Sequence, residues 1–341
     1  MNKQSHLPAD RGASGADKDL LSGANISLAL PSVDSDLITL NKGSVAELAL
    51  ARCARADREL SPTGYIEPAH FVVPLTGSYI WHRPTEQIFA DANRVLFFAG
   101  RESYATSHPV SGDVSIAITP SAETVEALVK ADRIHRGRQI LGKSAAWPAS
   151  PSVQLMSRAA VFDALAGATP LEIDDAVLQI LQAAVAAVGP VRSDTSANRR
   201  VISRTKEFLH WNSGRKITLQ EVADAVGLNA IYLSQVFTKC EGEPLYKYMR
   251  RLRLAASLNH IRDCDDLTAL ALNVGFSSHS HYSSVFLATF KKTPSYIRDV
   301  FRGSLHAKPA SWKARPLSAA RGGPRLTPCR PVADRSMRIS I

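Results

Sequence analysis

Two stretches near the C-terminal end of the chain share one pattern of apolar and polar positions, at 217–237 and 266–286. Each has an apolar residue before an Ala, a Gly four residues after that Ala, and a terminal Phe: Val222-Ala223, Gly227 and Phe237, then Leu270-Ala271, Gly275 and Phe286. The Ala recurs at an offset of 48 (271 − 223) and the Phe at 49 (286 − 237), so the second turn is one residue longer. The pattern predicts two copies of a helix-turn-helix, which is typical of DNA-binding proteins.

Capping residues and helical periodicity extend this region to an all-helical domain at 198–302. Thr218 and Glu221 form a capping box that opens the first copy, and Asn229 is a favourable N-cap for its second helix. An amphipathic helix at 199–212 precedes the copies and a long helix at 244–262 joins them. Thr293-Pro294 begins a closing helix.

Short apolar runs between turn residues predict strands earlier in the chain, at 69–75, 78–82, 87–91, 94–100 and 113–119. Their number and spacing suggest a small β-barrel or sandwich. The segment 45–56 is ambiguous, because its Ala content favours helix and its position favours an edge strand. The fold class is therefore α+β, with an N-terminal small β-barrel or sandwich with helices and a C-terminal all-α domain with two helix-turn-helix units.

Helical periodicity follows the strands, at 122–136, 154–166 and from Thr169 onward. Thr169 and Glu172 form a capping box, with Pro170 at the first helical position. The third helix carries a long apolar stripe, which is favoured as core packing over a dimer seam; it comprises Leu171, Val177, Leu178, Leu181, Val185 and Val188. The chain thus divides into a disordered lead-in at 1–36, a domain at 37–190, a linker at 191–197, the helical domain, and a basic disordered tail at 303–341.

The net charge of +10 coincides with the repeated region. Residues 1–194 carry 17 Lys/Arg against 21 Asp/Glu, residues 195–303 carry 16 against 9, and residues 304–341 carry 8 against 1, which gives −4, +7 and +7. Phosphate binding requires positive charge of this kind. A merely basic surface would explain any one of these figures but not their coincidence with the repeat.

Cysteine and histidine placement argues against disulfides and metal sites. The four cysteines form no C-x-x-C pair, which suits a reducing cytoplasm. His70, His82 and His108 lie singly among the strands, so no metal or other cofactor is expected. No apolar run approaches the ~20 residues of a membrane span, and the first residues lack the apolar region of a secretory signal. We expect a cytoplasmic protein that is not an enzyme, since no Ser/His/Asp arrangement is evident.

Residues 198–302 resemble the AraC/XylS family of bacterial transcription regulators. The resemblance is carried by the doubled helix-turn-helix, YMRRLRLAASL at 248–258, VGFSSHSHYSSVF at 274–286, and Thr293-Pro294 followed by Arg298. It implies that recognition helices at 229–239 and 278–289 enter successive major grooves of promoter or operator DNA. It also implies a sensor and dimerisation domain at 37–190. The implied partners are double-stranded DNA, a small-molecule effector, a second copy of the chain, and RNA polymerase if the protein activates transcription.

The predicted DNA-binding residues lie on these two helices. On the first they are Asn229, Ala230, Ile231, Tyr232, Ser234, Gln235 and Thr238; on the second they are Ser278, His279, Ser280, His281, Ser283 and Ser284. The expected phosphate contacts are Arg215, Lys216, Lys247, Arg250, Arg251, Lys291 and Lys292. Gln235 can pair with an adenine edge, and Ala230 and Ile231 can touch a thymine methyl group.

Five positions depart from the family's pattern. Gln235 and Thr238 in the first copy, and Ser284 and Leu287 in the second, stand where the family usually has Arg or Lys. Lys291 replaces a Gly before Thr-Pro. The second recognition helix is left nearly uncharged, so we expect the first copy to read the DNA sequence and the second to act as a polar clamp.

Two further possibilities compete with this interpretation. The segment 137–144, GRQILGKS, fits the P-loop pattern, but a charged helix precedes it where a buried strand is required. Within regulators, the N-terminal domain either senses a small molecule or only dimerises, with control by protein abundance. The aromatic residues that would line a pocket are Trp81, Phe89, Phe97, Phe98 and Tyr104, although aromatic side chains on strands are more often core.

Overall fold

The computed structural model describes residues 35–61, 63–66, 68–83, 86–100, 102–136, 145–188 and 196–303. The strands in these segments are β1 Ser35–Lys42, β2 Ala46–Cys53, β3 Gly64–Ile66, β4 His70–His82, β5 Gln87–Asp91, β6 Arg94–Phe98, β7 Glu102–Pro120 and β8 Ala145–Pro148. The first three helices are α1 Ala122–Arg136, α2 Pro151–Leu165 and α3 Pro170–Ala186. The others are α4 Ser196–Trp211, α5 Leu219–Val226, α6 Ala230–Glu241, α7 Leu245–His260, α8 Leu267–Asn273, α9 His279–Phe290 and α10 Pro294–Arg302.

The strands form one eight-stranded sheet in the order β1-β2-β7-β4-β6-β8, with β3 paired to β7 and β5 to β4. The predicted α+β class is confirmed. The runs at 69–75 and 78–82 are one continuous strand, β4. The ambiguous segment is strand β2, but the expectation of an edge position is wrong, because β1 pairs along it. Strand β1 was not predicted: its first two residues fall in the predicted lead-in at 1–36, and 37–42 were given no element.

Helices α2 and α3 cover one face of the sheet. Val177 and Leu181 are fully buried in this core, so the predicted packing of the apolar stripe is confirmed. Leu171, at the start of the stripe, is instead exposed to solvent. The indole Nε1 of Trp147 donates a hydrogen bond of 2.9 Å to the Ala184 carbonyl of α3. The core is therefore fixed by polar as well as apolar contacts.

A smaller aromatic cluster lies apart from this core. Trp81 and Phe98 pack in a tilted arrangement with ring centroids 4.1 Å apart, and Tyr104 packs edge-on against Phe98. Phe97 belongs to the core beneath the helices, and Phe89 packs with Ile80 and Val110. The five aromatic residues predicted to line one pocket are therefore divided among three clusters.

The helical region agrees closely with the predicted elements, including the long joining helix α7. Four predicted segments lie outside the described residues in whole or in part: the lead-in up to 34, the P-loop-like segment 137–144, the linker from 191 to 195, and the tail from 304. The last two residues of the predicted linker, 196 and 197, begin α4. Helix α1 precedes the P-loop-like segment and strand β8 follows it, which is the reverse of the order that a P-loop requires. Among the described helices, none is both long and apolar enough to cross a bilayer.

Candidate DNA-binding surface

The first helix-turn-helix unit, α5 and α6, opens with the predicted capping box. The Thr218 hydroxyl accepts a hydrogen bond from the Glu221 amide, and the Glu221 carboxylate accepts one of 2.7 Å from the Thr218 amide. Arg215 Nη1 lies 2.8 Å from the same carboxylate. The Arg215 hydrogen bond, followed by those from Thr218, lowers the pKa of Glu221 to about 2. Arg215, a predicted phosphate contact, thus already has an acidic partner.

The turn of this unit depends on Gly227. Its φ of +72° is left-handed, and no atom lies within 4 Å of the position a Cβ would take. Glycine is favoured here for its conformation rather than for lack of space. Ala223 is fully buried, and its carbonyl accepts the Leu228 amide at 3.0 Å. Gly227 and Ala223 together fix the angle between α5 and α6.

Helix α6 presents Ile231, Gln235 and Thr238 to solvent along one stripe, at the spacing i, i+4 and i+7. Asn229 caps the helix by accepting the Tyr232 amide at 2.7 Å. Ile231 is 74% exposed, which is unusual for a large apolar side chain. Apolar contact with a thymine methyl group would give this exposure a function.

The second unit, α8 and α9, repeats the plan within a tighter environment. Gly275 has φ +93°, and a Cβ there would lie 2.5 Å from the Ser213 carbonyl oxygen and 2.8 Å from Arg253 Nε. Gly275 is therefore needed for both conformation and space. Ser278 caps α9 by accepting the His281 amide at 3.2 Å. One residue more separates Gly275 from Ser278 than Gly227 from Asn229, in agreement with the predicted longer turn.

The exposed stripe of α9 offers fewer hydrogen-bonding groups for base recognition than that of α6. At the common offset of 49 residues (278 − 229), Ser280, Ser284 and Leu287 correspond to Ile231, Gln235 and Thr238. All three are exposed, and none is charged. The two histidines of α9 contact their own unit: His279 lies 3.2 Å from the Ser283 hydroxyl, and His281 packs edge-on against Phe276. These contacts leave each imidazole less available to a DNA base or to a metal ion.

The same offset relates the C-caps of the two helices, Gly242 and Lys291. Both adopt left-handed backbone, with φ of +81° and +60°. Lys291 is the one non-glycine residue with positive φ among the described residues. Its Nζ donates to the Ala288 carbonyl at 2.9 Å, which satisfies a carbonyl of the last helical turn.

The remaining predicted phosphate contacts differ in availability. Lys216, Lys247 and Lys292 are exposed, and Arg250 is half-buried beside the ring of Tyr246. Arg251 is engaged elsewhere: it pairs with Glu243 at 2.7 Å and donates to the Ala149 carbonyl of the sheet region. The two terminal nitrogens of its guanidinium therefore already have partners, Glu243 before α7 and Ala149 after β8, and its contact with phosphate stays a prediction.

The joining helix also ties the two units to each other. Arg253 Nε donates to the Ser213 carbonyl at 2.9 Å, and Nη2 donates to the Arg215 carbonyl at 2.6 Å. Gly275 packs against the same guanidinium. The Arg253 side chain, on the joining helix, thus contacts both the segment before the first unit and the turn of the second unit.

A buried charged network attaches the first unit to the sheet. Glu241, the last residue of α6, accepts hydrogen bonds from Arg94 at 2.7 Å and from Lys206 at 2.8 Å. Lys206 is 1% exposed. Burial would raise the pKa of Glu241, but the positive charges of Arg94 and Lys206 hold it below its usual value. The sequence carried one sign of this network: Lys206 lies on the apolar stripe of α4 between Ile202 and Leu209.

Asp91 extends the network from strand β5. Its carboxylate accepts hydrogen bonds from His210 Nε2 at 3.0 Å and from the Tyr248 hydroxyl. Burial opposes ionisation, yet the His210 hydrogen bond and the nearby positive charges keep the pKa of Asp91 below its usual value. A second ion pair joins Arg58, after β2, to Glu207 on α4 at 2.6 Å. The first unit and the helices on either side of it, α4 and α7, are thus held to the sheet region through ionised groups.

The second unit is attached mainly through apolar contact. Phe162 of α2 packs on Phe301 of α10 with centroids 5.0 Å apart and lies in the core of the second unit. Arg158, fully buried, donates to the Leu75 carbonyl at 2.6 Å and to Asn259 Oδ1 at 2.6 Å. Burial lowers the pKa of Arg158 to about 9. Neutral acceptors, rather than carboxylates, surround this guanidinium.

Comparison with known proteins finds a family that matches this helical region. The model of a helix-turn-helix domain family matches residues 222–299, from the buried core of α5 into α10. The Tn10 TetD protein of Escherichia coli is 31% identical over 97 residues, which are 27% of this chain and 70% of TetD. The transcriptional activator AarP of Providencia stuartii is 26% identical over 108 residues, which are 31% of this chain and 80% of AarP.

Further similar proteins include a longer regulator and two solved structures. The regulatory protein PocR of Salmonella typhimurium is 24% identical over 119 residues, and the matched part spans 38% of PocR. An AraC-type regulator structure from Chromobacterium violaceum is 22% identical, covers 34% of this chain and 99% of that one, and has a TM-score of 0.30. ToxT of Vibrio cholerae is 12% identical, covers 79% of this chain and 98% of that one, and has a TM-score of 0.31.

Proposed function

Because this chain belongs to the AraC/XylS family of DNA-binding transcription regulators, we propose that the exposed stripes of α6 and α9 enter neighbouring major grooves of an operator. The observation that carries the proposal is the doubled unit, in which each second helix is capped at an exposed N-terminus and buries only its opposite face. Recognition helices of this motif contact bases through their N-terminal residues. DNA binding in turn supports a cytoplasmic location.

The two helices take unequal parts in recognition. Gln235 offers a bidentate donor and acceptor to adenine, and Ile231 offers an apolar surface to thymine. Ser280 and Ser284 offer single hydroxyl groups, and Leu287 offers no hydrogen bond. The first helix therefore supplies most of the sequence discrimination, while α9 supports position and shape.

Phosphate contacts hold both helices in register. Lys216, Lys247, Lys291 and Lys292 are exposed candidates, and Arg250 is a half-buried one. Each neutralised phosphate contributes about 0.9 to the slope of log affinity against log salt. The basic tail beyond Arg302 adds unspecific attraction. Trimming the chain after Arg302 should therefore lower the salt slope; an unchanged slope would remove the tail from this role.

Sequence-specific binding can be tested in cells and in solution. Mapping the genomic sites bound by the full chain should give discrete promoter sites, and fluorescence anisotropy on one such site then gives its affinity. Gln235→Ala should weaken discrimination between this site and random DNA. Gln220→Ala is the matched control, because Gln220 is an exposed glutamine on α5 that bonds Asp224 instead. Binding at no discrete site would contradict the proposal.

A small-molecule effector is the favoured means of control. The buried Trp81 Nε1 and Ser78 Oγ have no hydrogen-bond partner among the described residues, although buried polar groups are usually paired. Trp81 Nε1 belongs to the aromatic cluster of Trp81, Phe98 and Tyr104, and a polar ligand beside that cluster would satisfy it. The contacts of Asp91, Arg58 and Arg158 with the helical region give such a ligand a route to the DNA-binding units. It can act only by binding one arrangement of the protein more tightly than another.

Effector control and control by abundance predict different results. DNA affinity of the purified chain should change when a low-molecular-weight ultrafiltrate of the host cells is added, and Trp81→Phe should abolish the change. Constant affinity would favour a regulator controlled by its concentration. We further propose a homodimer, and RNA polymerase as a partner if transcription is activated; sedimentation with and without DNA measures the first.

A further inference from the structure

The junction of β2 and β7 brings together three side chains with different donor atoms: Cys53, His108 and Asp113. The Cys53 sulfur, an imidazole nitrogen of His108 and a carboxylate oxygen of Asp113 all lie within 4.8 Å of one another. His108 and Asp113 are buried, and Cys53 is half-buried. The cluster lies in the sheet and includes none of the proposed DNA-binding residues.

A break in β7 creates this arrangement. In a regular strand, residues five apart point to opposite faces and lie about 16 Å from each other. Here the pairing of β7 with β4 slips twice around Ser78, which lies opposite Ser111. Gly112 lies so close to β2 that a Cβ would be 2.1 Å from the Cys53 carbonyl oxygen. The break therefore folds His108 back toward Asp113, which is the register partner of Cys53.

The donor atoms are held by neighbouring groups. His108 Nε2 lies 2.9 Å from Asp113 Oδ1, and the Ser115 hydroxyl donates to Asp113 Oδ2 at 2.6 Å. The His108 amide donates to the Asp57 carbonyl at 2.9 Å, which fixes the backbone on the other side. Partners of this kind orient the ligands in metal sites.

We propose that Cys53, His108 and Asp113 bind a divalent transition-metal ion of the zinc class. Thiolate, imidazole and carboxylate are the ligands that Zn²⁺ takes from proteins, whereas Mg²⁺ and Ca²⁺ prefer oxygen alone. Three protein ligands leave a fourth position for water or another small ligand. The site stands independently of the DNA-binding proposal, because it rests on sheet residues alone.

The competing explanation is a structural ion pair between His108 and Asp113. It accounts for the 2.9 Å contact. In it the Cys53 thiol is a further hydrogen-bond partner of His108 and not a ligand. The two explanations differ in what they predict for added metal.

Cobalt provides the direct probe. The full chain, prepared without a histidine tag and stripped with a chelator, should bind one equivalent of Co²⁺. The complex should show the thiolate-to-cobalt charge-transfer band in the near ultraviolet and the strong visible bands of four-coordinate cobalt. Zn²⁺ should displace Co²⁺, since it binds N, O and S sites more tightly.

A conservative variant assigns the band to its ligand. Cys53→Ser should abolish the charge-transfer band and weaken Co²⁺ binding by at least about tenfold. Cys264→Ser is the matched control: it removes another half-buried thiol, whose sulfur contacts the Asp266 carbonyl in the helical region. The control should leave the band and the affinity unchanged. Circular dichroism of both variants verifies that they are folded.

A measurement on the unaltered chain covers the case in which Cys53→Ser does not fold. Zn²⁺ should slow alkylation of Cys53 by iodoacetamide, as measured by mass spectrometry of its peptide, with Cys264 as the internal reference. Slower alkylation of Cys53 alone supports the site. Equal rates with and without Zn²⁺, or a charge-transfer band that survives Cys53→Ser, would overturn it.

Discussion

The two helix-turn-helix units share a backbone plan and differ in almost everything that surrounds it. Both have a buried Ala, a left-handed Gly, a capped second helix and a left-handed C-cap. The first unit is tied to the sheet by Glu241 and its buried cations, whereas the second packs against Phe162. The exposed stripe of the first can make directed hydrogen bonds through Gln235, and that of the second is limited to hydroxyl groups and Leu287.

This difference shows which properties the repeat fixes. A close helix crossing and a tight turn require Ala and Gly at set positions, whatever the unit binds. The residues facing outward are not constrained by the turn, so they can follow the surroundings of each copy. Similar backbones therefore give no reason to expect similar contributions to binding.

The largest expected effect is on the attachment of the first unit. Glu241→Ala removes the carboxylate between Arg94 and Lys206 and leaves buried positive charge unpaired. Breaking a buried ion pair in this way costs about 3–5 kcal/mol. Urea denaturation of the full chain measures it. Glu243→Ala is the control, since Glu243 pairs with Arg251 nearer to solvent; equal losses in the two variants would refute a special role for the buried network.

The corresponding change at the second unit is Phe162→Ala. Removing a buried aromatic ring that touches Phe301 should cost about 3–5 kcal/mol. Hydrogen exchange read by mass spectrometry should show faster exchange in α9 and α10, whereas Glu241→Ala should have its effect in α6. Identical exchange patterns would mean that the two attachments are not separate.

A smaller effect is expected on DNA discrimination. Gln235→Ala should lose about 1–3 kcal/mol of preference for the correct base at one operator position. Ser284→Ala, at the corresponding position of α9, should change the preference little. Anisotropy titrations on operators with single base substitutions measure both. The reverse result would make the second unit the principal sequence reader.

The smallest expected effect concerns the two C-caps. Gly242→Lys should destabilise the chain by about 1–2 kcal/mol, because a Cβ is disfavoured at left-handed φ. Lys291→Gly should stabilise it by about 0.5–1 kcal/mol while weakening DNA binding and lowering the salt slope by about 0.9. Thermal melts and salt-dependent titrations separate the two results. A Lys291→Gly variant with unchanged affinity would remove Lys291 from the phosphate contacts.

Local chemistry made much of the helical region predictable from the sequence. The capping boxes at Thr218 and Thr169, and the caps at Asn229 and Thr293, act within three residues and formed as expected. The placement of Arg251 did not follow, because its partner Ala149 lies 102 residues away. Pattern reasoning places a residue on a helix face but does not say which other element covers that face.

The sheet was harder to predict for a related reason. Strand periodicity assumes regular alternation, and β4 and β7 break it around Gly77 and Gly112. The approach of Cys53, His108 and Asp113 depends on that break, so a search for regularly spaced ligand pairs does not find them. Gly77 and Gly112, which lie between predicted strands and were assigned to turns, were the available sign, because both lie inside continuous strands of the structure.

The buried partnership of Lys206 and Glu241 has a consequence for how this protein can be recombined. A helical region moved onto another N-terminal domain would carry a lysine and a glutamate that are shielded here by Arg94 and Asp91 of the sheet. A chimera that keeps the helices must therefore also keep the sheet surface around Asp91, or replace Lys206 and Glu241 together. The practical cutting point for domain exchange is set by this surface rather than by the linker between the two halves.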